Sequence, residues 1–169
     1  MKRRAWIRLA SLGCLSLLLA GTMAAYATTN TVPQTRMDLD TAAINANALK
    51  PSQCAALNLT SIVSGSGTVN GTNGNDLILG SAGVDTLNGA NGPDCLMAGS
   101  GADTLNGGAG TDILLGGDGN DNLLGNAAND TLYGEGGNDT LNGGAATDVC
   151  DGGSGTDTAT NCETVVGVP

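Results

Sequence analysis

The chain has 169 residues, a length typical of one domain, but its composition is not that of an ordinary globular core. It contains 28 glycines, two tyrosines, one tryptophan, no phenylalanine and no histidine, which excludes a Ser-His-Asp triad and a His-ligated zinc site. The formal net charge of −10 excludes unaided binding to nucleic-acid phosphates and argues against anionic membranes.

The first 27 residues have the features of a cleaved signal peptide. Residues 1–4 are basic, residues 9–20 are mostly apolar, and residues 25–27 offer the small-x-small pattern of a signal-peptidase site. The apolar stretch is short for a membrane span and is interrupted by Arg8. We therefore predict a secreted, extracellular protein.

Removal of this leader makes the remaining chain strongly acidic. Arg36 and Lys50 then stand against sixteen acidic residues, a net charge of −14. Such a polyanion is expected to bind cations and, once the leader is gone, no membrane. Lipid anchoring at Cys14 is an alternative, although Ser11 occupies a position where a lipobox usually has Leu.

Residues 28–61 are predicted to be a linker followed by an N-terminal cap. Residues 28–40 have the polar character of a flexible linker. Residues 42–59 contain spaced apolar side chains, such as Leu49 and Leu57, whose secondary structure the sequence leaves open.

Residues 71–160 divide without insertion into ten nine-residue segments. The first position is glycine except at Ala98, and the fourth is glycine except at Ala128 and Ala146. The eighth position is apolar, for example Leu105 and Leu114. The sixth position is always aspartate: Asp76, Asp85, Asp94, Asp103, Asp112, Asp121, Asp130, Asp139, Asp148 and Asp157.

The two parts of each segment have different physical preferences. Positions 1 to 6 are rich in glycine, which adopts positive φ and permits close backbone approach, and they predict a turn. Positions 7 to 9 predict a short strand with only its middle residue pointing inward. A turn and a strand every nine residues describe an all-β coil with two strands per eighteen-residue turn.

Four cysteines remain after cleavage: Cys54, Cys95, Cys150 and Cys162. An even number in an exported protein suggests two disulfides, for which three pairings exist. None of the spacings is the close C-x2–4-C pair of a zinc site. We favour Cys150–Cys162, which are close in sequence and would fasten the C-terminal cap formed by residues 161–169. Cys54–Cys95 would then tie the N-terminal cap to the coils.

The segments 107–115, 116–124 and 134–142 resemble the RTX (hemolysin-type) calcium-binding nonapeptide, G-G-x-G-x-D-x-U-x with U apolar. The resemblance covers residues 71–160 and is to the repeat alone, without a toxin, protease or lipase module. It implies a right-handed parallel β-roll (β-solenoid) of ten nonapeptide half-turns with N- and C-terminal caps. Residues 62–70 continue the frame, but Gly67 replaces the aspartate, so we expect a degenerate, metal-free coil there.

The resemblance also implies the ligands. Calcium would lie between turns stacked eighteen residues apart, bound by the ten aspartates and by backbone oxygens, which are the hard ligands that Ca²⁺ prefers over a wide range of geometries. The implied turn glycines are Gly71, Gly74, Gly83, Gly92, Gly101, Gly107, Gly108, Gly110, Gly116, Gly117, Gly119, Gly137 and Gly155.

Sorting the repeats by side gives five stacked turns, and so at most four gaps, on each side. Eight calcium sites is therefore the upper limit. Ala128 and Ala146 both fall on the first side, and alanine resists positive φ. We expect that side to lose sites toward its C-terminal end, which leaves about six good ones.

The expected function is calcium binding by a secreted structural or calcium-responsive module, and not catalysis. The carboxylates repeat identically and do not form one differentiated acid and base. An alternative is adhesion to a glycan or ice surface through outward rows of Thr and Asn, although five larger side chains interrupt these rows. The sequence indicates no particular protein or glycan partner. The row residues are Thr86, Thr104, Thr131, Thr140, Asn88, Asn106 and Asn142, and the interruptions are Leu79, Met97, Leu115, Leu124 and Tyr133.

The acids outside the repeat phase, Asp118, Glu135, Asp151 and Glu163, are expected to be solvated.

Overall fold

A computed structural model describes residues 45–168, and short strands make up most of them. A helix α1 (Ala46–Leu49) and a 3-10 helix (Ser52–Cys54) come first. The thirteen strands of the described part follow: β1 (Ser61–Ser64), β2 (Thr68–Asn70), β3 (Asp76–Leu79), β4 (Thr86–Asn91), β5 (Cys95–Ser100), β6 (Thr104–Ala109), β7 (Ile113–Asp118), β8 (Asn122–Ala127), β9 (Thr131–Gly136), β10 (Thr140–Ala145), β11 (Val149–Asp151), β12 (Thr158–Thr160) and β13 (Thr164–Val166).

Consecutive strands alternate between two parallel sheets. The odd-numbered strands, in the order β1-β3-β5-β7-β9-β11-β13, form a seven-stranded sheet that we call the first sheet. The even-numbered strands form the six-stranded second sheet, from β2 to β12. Paired residues are eighteen apart, as in Leu96↔Leu114 and Leu105↔Leu123. The eighteen-residue coil and the parallel β-roll predicted from the nonapeptide are confirmed.

The space between the sheets is filled by one apolar side chain per strand, from the eighth repeat position. Leu96, Leu105, Leu114 and Leu123 are all 0% exposed. Burial of each Leu contributes about 1.5–3 kcal/mol, so the two inner columns are the main apolar stabilisation of the coils. The same cluster contains Val69, Ile78, Leu87, Ala98, Leu132, Leu141 and Cys150, with Val63, Ala159 and Cys162 packed against it.

The outer face of the first sheet carries a second apolar layer that the sequence analysis did not predict. Met97 and Leu115 do point away from the interior, as expected, but they are only 9% and 4% exposed. The segment that contains α1 and the 3-10 helix packs on them, because strands β3, β5 and β7 carry apolar residues at both outward positions. This second cluster consists of Ala46, Cys54, Leu57, Leu59, Leu77, Cys95, Met97, Ile113 and Leu115, with Leu49, Leu79 and Tyr133 at its margin.

The N-terminal cap is attached covalently and by hydrogen bonds. A disulfide joins Cys54 to Cys95 on β5, and a second joins Cys150 to Cys162, so the structure forms the pairing that we favoured. The side chain of Asn47 donates to the carbonyl of Leu59 at 2.6 Å and accepts from its N–H at 2.9 Å. The cap thus lies against the roll as a fixed layer.

The strands in the middle of the roll are longer than the three residues predicted. β6, for example, runs through Gly107 and Gly108 to Ala109, and Gly108 pairs with both Ala90 and Asn126. The backbone at positions 1 to 3 therefore continues the parallel ladder, because glycine lets neighbouring coils approach closely there. The turn proper is confined to positions 4 to 6.

The predicted signal peptide, Cys14 and the linker lie outside the described residues. Between residues 45 and 168, no helix has both the length and the apolar character needed to cross a membrane.

The covered face predicts different responses from two leucines at the ninth position of adjacent repeats. Leu115 is buried under the cap, whereas Leu124 lies half-buried on the second sheet. Leu115→Asn should lower the free energy of unfolding by about 2–4 kcal/mol, because it removes apolar burial and leaves an amide without water. Leu124→Asn should lower it by less than about 1 kcal/mol. Denaturant unfolding of the Ca²⁺-loaded variants measures both, and equal losses would mean that the cap does not cover Leu115.

Candidate metal centre

The ten repeat aspartates form two buried columns, one along each side of the roll. Each is at most 3% exposed, and each lies at the end of a turn, immediately before or at the start of a strand. The N–H of one aspartate donates to Oδ1 of the aspartate eighteen residues later, as from Asp94 to Asp112 and from Asp103 to Asp121, both at 2.8 Å. Eight such bonds of 2.7–2.9 Å connect the members of the two columns.

The other carboxylate oxygen of most of these residues has no hydrogen-bond donor. Burial of an unpaired carboxylate is unfavourable by several kcal/mol unless a cation or a proton neutralises it. Lys50 is the one basic residue among residues 45–168, and its Nζ donates to the carbonyl oxygens of Ala55 and Leu57 in the cap. The buried oxygens without donors are Oδ1 of Asp76 and Oδ2 of Asp94, Asp103, Asp112, Asp121, Asp130, Asp139, Asp148 and Asp157.

Removal from water changes the acidity of these carboxyls. Burial raises the pKa of Asp94 from 3.8 to about 8 and that of Asp130 to about 7. The same cause raises the pKa of Asp112 and of Asp121 to about 6. The N–H of the preceding aspartate opposes each shift, and neighbouring carboxylates add to it for Asp94, Asp121 and Asp130. Without a cation, Asp94 and Asp130 therefore tend to hold protons near neutral pH, whereas Asp112 and Asp121 hold them only in mildly acidic solution.

The free oxygens point into the gap toward the following coil. A Cβ added to Gly116 would lie 2.5 Å from Oδ2 of Asp121 and 2.8 Å from the carbonyl oxygen of Gly134 in the next coil. The space beside this glycine is therefore lined by a carboxylate oxygen of one coil and a carbonyl oxygen of the next. Gly125 occupies the same place between Oδ2 of Asp130 and the carbonyl oxygen of Gly143, both at 2.5 Å from such a Cβ.

The mixture of ligands at these gaps suits a hard divalent cation. Among residues 45–168, no three His, Cys, Asp or Glu side chains converge on one point. An ion between two turns would therefore combine the carboxylates of the column with backbone carbonyl oxygens. Ca²⁺ accepts six to eight oxygens in such flexible geometry, whereas Mg²⁺ demands a near-ideal octahedron.

The implied glycines occupy the turns between successive aspartates, at three repeat positions. At the fourth position, Gly119 and Gly137 have φ of 140° and 135°, and a Cβ on either would overlap the carbonyl oxygen of the preceding coil. Gly92, Gly101, Gly110 and Gly155 share this position and positive φ, whereas Gly74 and Gly83 share only the position. Gly71, Gly107 and Gly116 stand at the first position, and Gly108 and Gly117 at the second with positive φ.

The two alanines at the fourth position have positive φ, as six of the eight glycines at that position do, but at smaller angles than most of them. Ala128 has φ of 76° and Ala146 has φ of 98°. Positive φ is strained for a residue with a Cβ. The loss of metal sites on that side stays a prediction.

Each of two aspartate ladders ends on a residue that is not an aspartate, at one end of the roll. Oε2 of Glu163 accepts from the N–H of Asp148 at 2.7 Å, in the place of a further aspartate. Glu163 is exposed, as predicted, but its contact with Asp148 was not predicted. Gly67, at the aspartate position of the first coil, donates its N–H to Oδ1 of Asp85. Glu163 does not fit the nine-residue period, because it follows Asp148 by fifteen residues and not by eighteen.

A parallel roll with two buried aspartate columns is the architecture of a metal-binding repeat module. The family model for the RTX calcium-binding nonapeptide repeat (4 copies) matches residues 63–94, 91–123 and 124–159, more than half of the chain. The chain therefore belongs to the RTX calcium-binding nonapeptide repeat family, whose repeat is structural and not catalytic. No curated protein and no solved structure is significantly similar to it.

The raised pKa values predict that acid stabilises the metal-free roll. A group with a folded-state pKa above its unfolded value contributes stability that is complete below the unfolded pKa, about 4, and is lost as pH rises through the folded values, about 6–8. The metal-free chain should therefore show more β-structure at about pH 4 than at about pH 8. The Ca²⁺-saturated chain should show the opposite trend, because protons compete with the metal. Far-UV circular dichroism of both forms tests this, and a metal-free chain with more β-structure at pH 8 would contradict it.

Proposed function

We propose that the chain binds Ca²⁺ between its stacked turns and acts as an extracellular structural or calcium-responsive module. The observation that carries this proposal is the set of nine buried carboxylate oxygens without donors. A cation in each gap would neutralise carboxylates that otherwise repel one another. Eight gaps set the upper limit, and we propose that about six of them hold an ion.

The proposed location rests on the leader and the disulfides. Residues 1–27 have the pattern of an export signal, and disulfides persist in oxidising compartments such as the cell exterior. We infer no catalytic role, because the aspartates of each column repeat one ladder contact and do not form a differentiated acid and base. Catalysis requires groups with distinct tasks.

Calcium binding is proposed to drive folding. Strands of neighbouring coils lie about 4.8 Å apart, a separation at which stacked carboxylates repel strongly. The 26 glycines of residues 45–168 lose much backbone entropy on ordering, which offsets a large part of the stabilisation by the inner columns. Metal binding and folding would then be one process.

A titration of the chain without residues 1–27 tests the proposal. Ca²⁺ should produce a cooperative coil-to-β transition in far-UV circular dichroism at roughly 10⁻⁴–10⁻³ M, as for extracellular modules, and Mg²⁺ should produce little. Asp112→Asn should move the midpoint to higher Ca²⁺, because it removes a buried ladder oxygen. The matched control is Asp118→Asn, an exposed aspartate of the neighbouring turn that has no ladder bond and only a Coulombic effect on Asp121, so it should move the midpoint far less. No response to Ca²⁺, or an equal response to Mg²⁺, would contradict the function.

A second candidate function is binding to a regular extracellular surface. The observation that favours it is the segregation of side chains between the two sheets. Of the five predicted interruptions, four lie on the first sheet, and only Leu124 lies on the second. Thr131 also lies on the first sheet. The outward rows of the second sheet are Thr68, Thr86, Thr104, Asn122, Thr140 and Thr158, and Asn70, Asn88, Asn106, Leu124, Asn142 and Thr160.

Substitutions on the two sheets test this candidate. Thr104→Tyr places a bulky ring in the middle of the polar rows and should reduce binding at least about tenfold, a loss of roughly 1.4 kcal/mol. Thr164→Tyr adds the same ring at an exposed position of β13 on the first sheet and should have no effect. Binding to immobilised polysaccharides and inhibition of ice recrystallisation are the measurements. Absence of both activities in the unmodified Ca²⁺-loaded chain would contradict the candidate.

A further inference from the structure

We propose that the first turn of each side, residues 71–76 and residues 80–85, holds no calcium and terminates the metal columns. This inference rests on the proposed calcium function. It assigns the two metal-free gaps to the N-terminal end of the roll, between Asp76 and Asp94 and between Asp85 and Asp103. The alanine turns at the opposite end keep their ions.

The backbone separates these two turns from the other eight. In the other eight turns, the second and fourth repeat positions both have positive φ, even where the residue is Ala90, Glu135 or Ala128. In the first two turns, neither position does: Thr72 and Gly74 on one side, Ser81 and Gly83 on the other. A backbone with different dihedral angles presents its carbonyl oxygens in different directions, so the first two turns do not offer the ligand arrangement of the rest.

In the first two turns, the Oδ2 atom of the aspartate accepts hydrogen bonds, whereas in the later turns the same atom has no donor. The N–H and Oγ of Ser81 both donate to Oδ2 of Asp85, at 2.6 and 2.8 Å. The N–H and Oγ1 of Thr72 donate in the same way to Oδ2 of Asp76, also at 2.6 and 2.8 Å. In the other eight aspartates, Oδ2 is buried without a donor.

The satisfied oxygens are the ones that face the following coil. A Cβ added to Gly80 would lie 3.0 Å from Oδ2 of Asp85 and would also meet the carbonyl oxygen of Ala98 in the next coil. This is the arrangement seen at Gly116 in the middle of the roll. A hydroxyl and an N–H therefore take the place of a cation in the first gap of each side. The one free oxygen in these two turns is Oδ1 of Asp76. In the later aspartates of the column, Oδ1 faces the preceding coil and accepts the ladder bond, as in Asp94.

The close approach of the preceding coil at the fourth repeat position is also absent at these two turns. A Cβ on Gly83 would have only Oγ of Ser81 within 4 Å, at 3.9 Å, whereas a Cβ on Gly119 would overlap the carbonyl oxygen of Gly101. Residues 62–70 precede the turn of residues 80–85 by one coil and have no aspartate, and there the N–H of Gly67 donates to Oδ1 of Asp85 instead. The local serine and threonine contacts thus close the column without metal.

Six gaps then remain, three on each side. On the first side they lie between Asp94, Asp112, Asp130 and Asp148, and on the second between Asp103, Asp121, Asp139 and Asp157. Six is also the number expected from the sequence, which placed the empty gaps at the C-terminal end of the first side. Here the empty gaps lie at the N-terminal end of both sides. Ala128 and Ala146 keep the positive sign of φ, and Oδ2 of Asp130 and of Asp148 is buried without a donor, which is why their gaps are retained.

Crystals of the Ca²⁺-loaded chain, measured at long wavelength, test the assignment without a substitution. Anomalous-difference peaks of calcium should appear in gaps between the eight later turns and in neither N-terminal gap. A peak between Asp76 and Asp94, or between Asp85 and Asp103, would overturn the assignment and leave the calcium function intact. A chain that binds no Ca²⁺ in solution would overturn the calcium function itself.

Two matched variants on the second side test the same point in solution. Native mass spectrometry of the Ca²⁺-loaded chain should count six ions in the unmodified protein and in Asp85→Asn. Asp121→Asn, in the middle of the same column, should lose at least one ion. Loss of an ion from Asp85→Asn, or a count of seven or eight in the unmodified chain, would overturn the assignment.

Discussion

The bond from the N–H of one buried aspartate to Oδ1 of the aspartate in the next coil is the interaction on which the rest of the structure depends. It fixes the register of the coils at eighteen residues and commits each carboxylate to a dry environment. One oxygen is satisfied by this bond, and the other is left facing the gap. The need for a cation, the tight approach of the coils and the glycines that permit it all follow from this one contact.

The apolar core of the coils is narrow, and a second apolar cluster and a disulfide add to it. Each coil contributes two inward side chains, and none of them is aromatic, so the buried area per residue is small. The cap enlarges this area by covering the outer face of one sheet, and the Cys54–Cys95 bridge limits the entropy that the covered segment regains on unfolding. Cap and disulfide thus add to the stabilisation by a narrow core, and the proposed cations would add to it further.

The nine-residue period was enough to predict the coils, both aspartate columns and both leucine columns, because these positions face the same environment in every repeat. The docking of the cap could not be predicted from the repeats taken as one series. Leu115 and Leu124 have the same repeat position and opposite surroundings, which depend on whether the repeat is odd or even. Glu163 was missed because its spacing breaks the period. The different backbone of the first two turns could not be predicted, because Gly74 and Gly83 match the motif and glycine permits either sign of φ.

The alternation of repeats between two sheets explains how one motif supports two different faces. Positions 6 and 8 are constrained in every repeat by the columns and by the interior. Positions 7 and 9 point away from both, so odd and even repeats are free to diverge there. The first sheet carries Leu77, Ile113 and Leu115 and is covered by the cap, whereas the second carries Thr and Asn and faces water. The aspartate columns lie along the sides, between these faces, so substitutions on either face leave the ladder bonds intact. The outward residues of each sheet, and with them what that sheet contacts, can therefore change without a change in the metal-binding turns.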